Sequence, residues 1–166
     1  YIHIDYQVIW DVINTKEFQR LRRIHQMGTS YLVYHTAEHS RFSHSLGVYE
    51  IVRRMTTEVE DLNTQLTESE KIQVMLAGLC HDLGHGPFSH FFEMVIEETH
   101  EKLTERILME DTDVHRVLES VEVGLSLRVA SILNHTHPKT VLTQIISSQL
   151  DADRMDYLLR DAFFTE

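Results

Sequence analysis

Residues 81–90, HDLGHGPFSH, place three histidines and one aspartate within ten positions, just after the most apolar run of the chain, VMLAGLC (Val74–Cys80). Imidazole binds metals and moves protons near neutral pH. Beside a carboxylate it suits Mn, Fe, Zn, Ni or, less well, Mg. Neighbouring helical residues point about 100° apart, so His81 and Asp82 can flank one ion at the edge of a buried face. His81 and His85 would share that face if the helix continued, but Gly84, Gly86 and Pro87 turn the chain away. The other half of a coordination sphere must come from elsewhere. His44, in HSRFSHSLG (His39–Gly47), and Asp153, in LDADRMDYLLRD (Leu150–Asp161), are the candidates. On a helix Asp153, Arg154, Tyr157 and Asp161 share an arc of about 100°, opposite Met155, Leu158, Leu159, Ala162 and Phe163. Spacing alone leaves that arc open between a solvated polar face and the wall of a site. His90 and Glu93, three residues apart, can meet on a helix so that the carboxylate orients the imidazole.

Helical periodicity dominates the elements that must position these groups, because two prolines and six glycines leave few breaks. QVIWDVIN (Gln7–Asn14) reads as a short helix, and Asn14 with Glu17 predicts a second one through Gln26, ended near Gly28. Residues 31–42 have no clean period and read as a loop. Ser43 predicts a cap for a helix running to about Glu60. Thr67 and Glu70 form a capping box for the helix whose Ile72, Met75, Leu76, Leu79 and Leu83 recur every three or four residues. Further helices are predicted near 89–98, 100–110, 113–120, 126–135, 139–148 and 151–164. The expected fold is all-α: a compact bundle of many short helices around a central metal site. Cys80, Trp10 and the Phe91–Phe92 pair read as core.

At 166 residues the chain has the length of one domain. A net charge of −11 argues against general nucleic-acid binding, which needs clustered cations, while RLRR (Arg20–Arg23) supplies one local basic patch. No apolar run approaches the roughly 20 residues that span a bilayer, so no membrane association is expected. A single cysteine fits a reducing cytoplasmic compartment.

Together the strings EFQRLRRIHQMG (Glu17–Gly28), RFSHSLGV (Arg41–Val48), HDLGHGPFSHFFE (His81–Glu93), THEKLTE (Thr99–Glu105) and DADRMDYLLRDAF (Asp151–Phe163) resemble the HD-domain superfamily of metal-dependent phosphohydrolases. Within it they are most similar to the dNTP triphosphohydrolase, or dGTPase-like, branch. The resemblance implies that His44, His81, Asp82 and Asp153 hold one divalent metal ion, of which Mn, Fe, Mg, Zn and Ni are all candidates. It implies attack of an activated water on the α-phosphorus of a dNTP, releasing deoxynucleoside and inorganic triphosphate. His85, His90, Glu93, His100 and Glu101 then match catalytic positions: His90 gives the leaving 5′-oxygen its proton, His85 faces phosphate, and His100 pairs with Glu101. Gln26 and Met27 match residues beside the sugar and base, Arg41 and Arg154 phosphate contacts, and Tyr157 and Asp161 the ribose-recognising pair. The family further implies a homo-oligomer and a nucleotide activator. The expectation is that residues 1–166 form a single HD domain, the N-terminal catalytic part of a longer chain. Two other readings fit the same residues: an HD-type nucleotidase or phosphodiesterase acting on different nucleotides, and a nucleotide-binding regulator without turnover.

Overall fold

Thr67 opens the helix from which the site hangs. Its hydroxyl accepts from the Glu70 amide at 3.2 Å and its own amide donates to the Glu70 carboxylate at 2.8 Å, the reciprocal box expected from the sequence. In the structure, a computed structural model describing residues 1–165, this helix is α5 (Glu68–Cys80). Only Glu166 of the expected 1–166 unit lies outside the described residues. Every residue from Val74 to Cys80 is buried, so the second half of α5 is enclosed on all sides, while Glu68 and Ser69 in its first turn are exposed. The Cys80 thiol is accordingly pushed up to about 12 by burial.

Around α5 the described residues form α1 (Gln7–Ile13), α2 (Lys16–Gln19), α3 (Arg41–Glu58), α4 (Glu60–Gln65) and α6 (His90–Ile96). Beyond these come α7 (His100–Met109), α8 (Asp113–Val121), α9 (Leu125–Leu133), α10 (Thr140–Ile146) and α11 (Ala152–Thr165). Among the described residues β-structure is confined to one isolated bridge, His25 to Ser40, and the chain is all-α. α5 packs on α3, α9 and α10, and α11 lies along α3. Gly78 makes the central crossing close: a Cβ there would stand 3.0 Å from the Val52 side chain. That approach brings the start of α3 and the end of α5 to the same place.

Several boundaries differ from the sequence expectation. Thr15, not Asn14, caps the second helix, accepting from the Phe18 amide at 3.3 Å. That helix does not run to Gln26; it tightens into a 3₁₀ turn at Arg20–Arg23. The Arg20 guanidinium is drawn into the HD turn, donating to the His85 carbonyl at 2.7 Å and to that of Leu83. Ser40, not Ser43, caps α3, and α3 ends at Glu58 before the separate short α4. The bridge to His25 holds Ser40 extended, which is the backbone state a cap needs. Trp10 and Phe91, read as core, are 52% and 59% exposed. α11 turns its polar arc inward onto α3 and leaves Leu158, Leu159 and Phe163 exposed.

Candidate metal centre

Four side chains from three elements converge where α3, α5 and α11 meet. His44 projects from the first turn of α3, His81 and Asp82 follow the last turn of α5, and Asp153 opens α11. Asp151 fixes that last start by accepting from the Arg154 amide at 2.7 Å and the Ser148 amide at 2.8 Å. His44 Nε2 lies 3.3 Å from His81 Nε2 and 2.9 Å from Asp153 Oδ1. His81 Nε2 lies 3.3 Å from Asp82 Oδ1 and 3.5 Å from Asp153 Oδ1.

The outer nitrogens decide what the inner ones can do. His44 Nδ1–H donates to Asp156 at 2.8 Å, and His81 Nδ1–H donates to the Gly78 carbonyl at 2.8 Å. When both rings are neutral, as metal binding requires, they aim bare Nε2 lone pairs at each other and at two carboxylates. Such a set repels itself unless a cation sits within it, so these residues fit a divalent ion. Two imidazoles with two carboxylates suit Mn, Fe, Ni or Zn, and partners such as Asp156 and Gly78 fix ligand orientation. Asp156 is itself held by both arms of Arg160 at 2.8 Å.

The charges respond accordingly. Burial pulls the His44 imidazole down, but Asp153, Asp156 and Asp82 more than reverse this, raising it to about 9. Burial pushes Asp82 up, yet His81, Arg41 and His85 hold it well below the usual carboxylate range, and His44 and His81 do the same for Asp153. In the metal-free protein His44 thus keeps a proton at neutral pH that an incoming ion must expel. Its folded value lies above the ordinary 6.5, so its contribution to metal-free stability is present below pH 6.5 and lost as pH rises through about 9. Metal affinity runs the other way, rising up to about tenfold per pH unit across the same window. Calorimetric Mn²⁺ titrations in buffers of different ionisation heat should show a proton released below pH 9 and none above it; pH-independent affinity would contradict the assignment.

Gly47, one turn along α3 from His44, is what lets Asp156 reach the ring. A Cβ there would collide with the Asp156 carboxylate and the Arg160 guanidinium. Gly47→Ala is expected to weaken Mn²⁺ binding about 10–100-fold with helix content preserved, read by calorimetry and circular dichroism.

Beside the centre opens a cleft of about 570 Å³. Gln26, Met27, Arg41, His85, His90, His100, Tyr157 and Asp161 line it together with His44, Asp82 and Asp153. Arg41 is buried, pairs with Asp82 at 2.5 Å and donates to the Ser89 hydroxyl at 3.0 and 3.2 Å. Ser89 and Phe88 have positive φ (52° and 63°), a strained turn that aims Ser89 at Arg41 and starts α6 toward the cleft. Glu93 Oε1 receives His90 Nδ1 at 3.0 Å and His100 Nδ1 at 2.8 Å, and His85 stacks on His100 with centroids 3.8 Å apart. His39, given no role by the sequence, is buried and pairs with Asp161 at 2.7 Å.

Two expected site residues stand apart. Glu101 reaches His100 only at 3.5 Å, has a 68% exposed side chain and does not line the cleft; the nearer carboxylate to His100 is Glu93. Arg154 is exposed and donates to the Gln149 carbonyl at 3.3 Å. The inward arc of α11 is centred between Asp156 and Asp161, which leaves Arg154 at its rim. Asp156 and Ser89 are contributors the sequence reading missed. The only local signal for Asp156 was its place as a third acid on the polar side of DADRMDYLLRD.

The HD domain family profile matches residues 41–161. The chain is 53% identical over 165 residues to the YwfO protein of Bacillus subtilis, covering 99% of this chain and 38% of that protein. It is 36% identical over 171 residues to a Dictyostelium discoideum homologue of the deoxynucleoside triphosphate triphosphohydrolase SAMHD1, covering 94% of this chain and 33% of that one. A crystal structure of a Bacteroides thetaiotaomicron phosphohydrolase superposes with a TM-score of 0.85 at 37% identity, over 99% of this chain and 40% of its own. The chain thus spans about two fifths of the length of these relatives or less. No helix among the described residues is long and apolar enough to cross a membrane.

Proposed function

The chain belongs to the HD domain family of metal-dependent phosphohydrolases, and we propose that it hydrolyses deoxynucleoside triphosphates to deoxynucleoside and inorganic triphosphate. The observation that carries this is that one cleft is lined by two kinds of group: Arg41, His85, His90 and His100, whose chemistry suits phosphate, and Tyr157 and Asp161, whose chemistry suits a sugar. A cleft of about 570 Å³ accommodates a nucleotide. The relationship to a SAMHD1 homologue supports the same substrate class.

A divalent ion held by His44, His81, Asp82 and Asp153 would supply Lewis acidity toward a phosphoryl oxygen and toward a water. The protein's own groups do the rest. Arg41, fixed between Asp82 and Ser89, presents positive charge to phosphate oxygens without reorganising. His85 and His100 line the phosphate subsite. His90, oriented through Nδ1 by Glu93, gives its Nε2 proton to the departing 5′-oxygen. Glu101 steadies His100 from outside the cleft. Asp161, set by His39, accepts from the 3′-hydroxyl, while the Tyr157 ring occupies the space a 2′-hydroxyl would need. Gln26 and Met27 border the base, and Arg154 reaches phosphate only by swinging in from the rim. In the same reading residues 1–166 are the catalytic domain of a longer chain that assembles with copies of itself and answers to an activating nucleotide.

The test is product analysis. Full-length protein with Mn²⁺ and each dNTP should release triphosphate and deoxynucleoside in equal amounts, with the ribonucleotides turned over far more slowly. Pyrophosphate with a monophosphate, equal use of ATP and dATP, or no turnover with any activating nucleotide would overturn it.

A further inference from the structure

Two phenylalanine rings stand exposed in the lining of the cleft. Phe88 and Phe91 line it together with Gln26 and Met27, yet they are 56% and 59% exposed. We propose that these two rings form a stacking platform for the nucleobase and set the affinity for it, purines ahead of pyrimidines. The proposal rests on the deoxynucleotide reading of that same cleft and names what holds the end of the substrate away from the phosphates.

The backbone holds Phe88 where it is under strain. Its φ is 63° and that of Ser89 is 52°, a conformation that favours glycine and is unusual for a bulky side chain. Such strain persists where the surroundings impose it, and it gathers at ligand sites. Here Arg41 donates to the Ser89 hydroxyl, which in turn reaches the His25 carbonyl at 3.5 Å. The Phe91 amide donates to the Phe88 carbonyl at 3.2 Å, closing the turn into α6. Gly28 (φ 57°) lies against the same turn, and a Cβ there would stand 3.4 Å from the Phe88 carbonyl oxygen. The segment carrying Gln26 and Met27, which border the base, therefore runs directly beside the residues that carry the rings.

Of the three parts of a nucleotide, only the base has a flat apolar face to lay on an aromatic ring. The phosphates are charged, and the sugar is taken by Tyr157 and Asp161. Every base has a π-face, and stacking one on an aromatic side chain is worth about 5–150-fold in affinity. The larger face of a purine covers more of the ring than a pyrimidine does, so preference follows stacked area. Met94 and Val95, exposed further along α6, do not line the cleft. The rings, and not the whole helix, are the surface that a ligand in the cleft meets.

The experiment compares each dNTP with 2-deoxyribose 5-triphosphate, which keeps the sugar and phosphates and lacks the base. With full-length Mn²⁺-loaded protein, Phe88→Ala and Phe91→Ala should each raise KM for dGTP and dATP about 10–100-fold, for dCTP and dTTP less, and for the base-free compound not at all. Phe88→Trp should return KM for dGTP to the wild-type value or below. Unchanged KM in both alanine variants, or an equal rise for the base-free compound, would overturn the platform. So would a changed oligomeric state on sedimentation with the base dependence intact, which would make the rings a contact between copies. Phe88→Gly relieves the positive φ, so it should match Phe88→Ala in KM without lowering Tm; a lowered Tm would make the ring part of the packing and overturn its assignment to the base. Binding to Asp153→Asn, which is expected not to turn over, separates the two readings. By calorimetry this variant should hold dGTP about 10–100-fold more tightly than the base-free compound, and adding Phe88→Ala should remove most of the difference. That result for a protein whose wild type releases no triphosphate would count against the hydrolase reading and leave the platform standing. No difference between the two ligands would overturn the platform whatever the wild type turns over.

Discussion

Asp82→Ala is expected to abolish hydrolysis and to destabilise the protein at the same time. Asp82 is the one carboxylate that touches both the metal centre and the phosphate side: His81 lies 3.3 Å away, His85 3.4 Å and Arg41 2.5 Å. Losing a ligand removes the ion's contribution of several kcal/mol to the transition state, roughly 10³-fold or more in kcat/KM. The second effect has a different origin. Arg41 is only 5% exposed, and its guanidinium would be left buried without its carboxylate. Breaking one side of a buried pair costs about 3–5 kcal/mol, which thermal unfolding of the metal-free variant would show as a lowered Tm. Asp153→Asn separates the two terms. It removes a ligand whose side chain is 38% exposed and leaves the Arg41 pair intact, so activity should fall as far with a much smaller change in Tm. Activity unchanged in Asp82→Ala would remove the metal centre from the mechanism.

His90→Gln should lower kcat by about 10²–10⁴-fold with KM and Mn²⁺ affinity little changed. The side chain is 72% exposed and outside the His44–Asp153 centre, so neither the fold nor that ion depends on it. What is lost is the proton for the 5′-oxygen. The deficit should therefore shrink on a substrate whose leaving group needs no protonation, such as a nitrophenyl ester of triphosphate. Equal loss on both substrates would assign His90 to binding instead of proton transfer.

The candidate site was legible wherever its chemistry was written into a contiguous string. HDLGHGPFSH and DADRMDYLLRD carry their own residue types and spacing, and Thr67 with Glu70 announces α5 locally. What was not legible depends on partners far along the chain. Asp156 acquires its role only by meeting His44, 112 residues earlier, and Ser89 only by meeting Arg41, 48 residues earlier. Asn14 and Thr15, like Ser40 and Ser43, are equally good caps by residue type. The choice of Ser40 follows the non-local bridge to His25, which propensity does not contain. The polar arc of α11 was found, but its orientation was set by Asp156 and Arg160 packing against Gly47, and this moved Arg154 to the rim. Trp10 and Phe91 show the same limit for burial: an aromatic side chain marks apolar surface, and only the packed neighbours decide which side of it is covered.

The central claim is that water attacks the α-phosphorus at the His44–His81–Asp82–Asp153 centre. Turnover of dGTP by the Mn²⁺-loaded protein in oxygen-18 water, followed by ³¹P NMR and mass spectrometry of both products, tests it most directly. The account predicts one heavy oxygen on a terminal phosphorus of the released triphosphate, none in the deoxyguanosine, and no such turnover in Asp153→Asn. Heavy oxygen in the 5′-hydroxyl of the deoxyguanosine with none in the triphosphate, which would place attack at the 5′-carbon, or the same labelled products from Asp153→Asn, would contradict it.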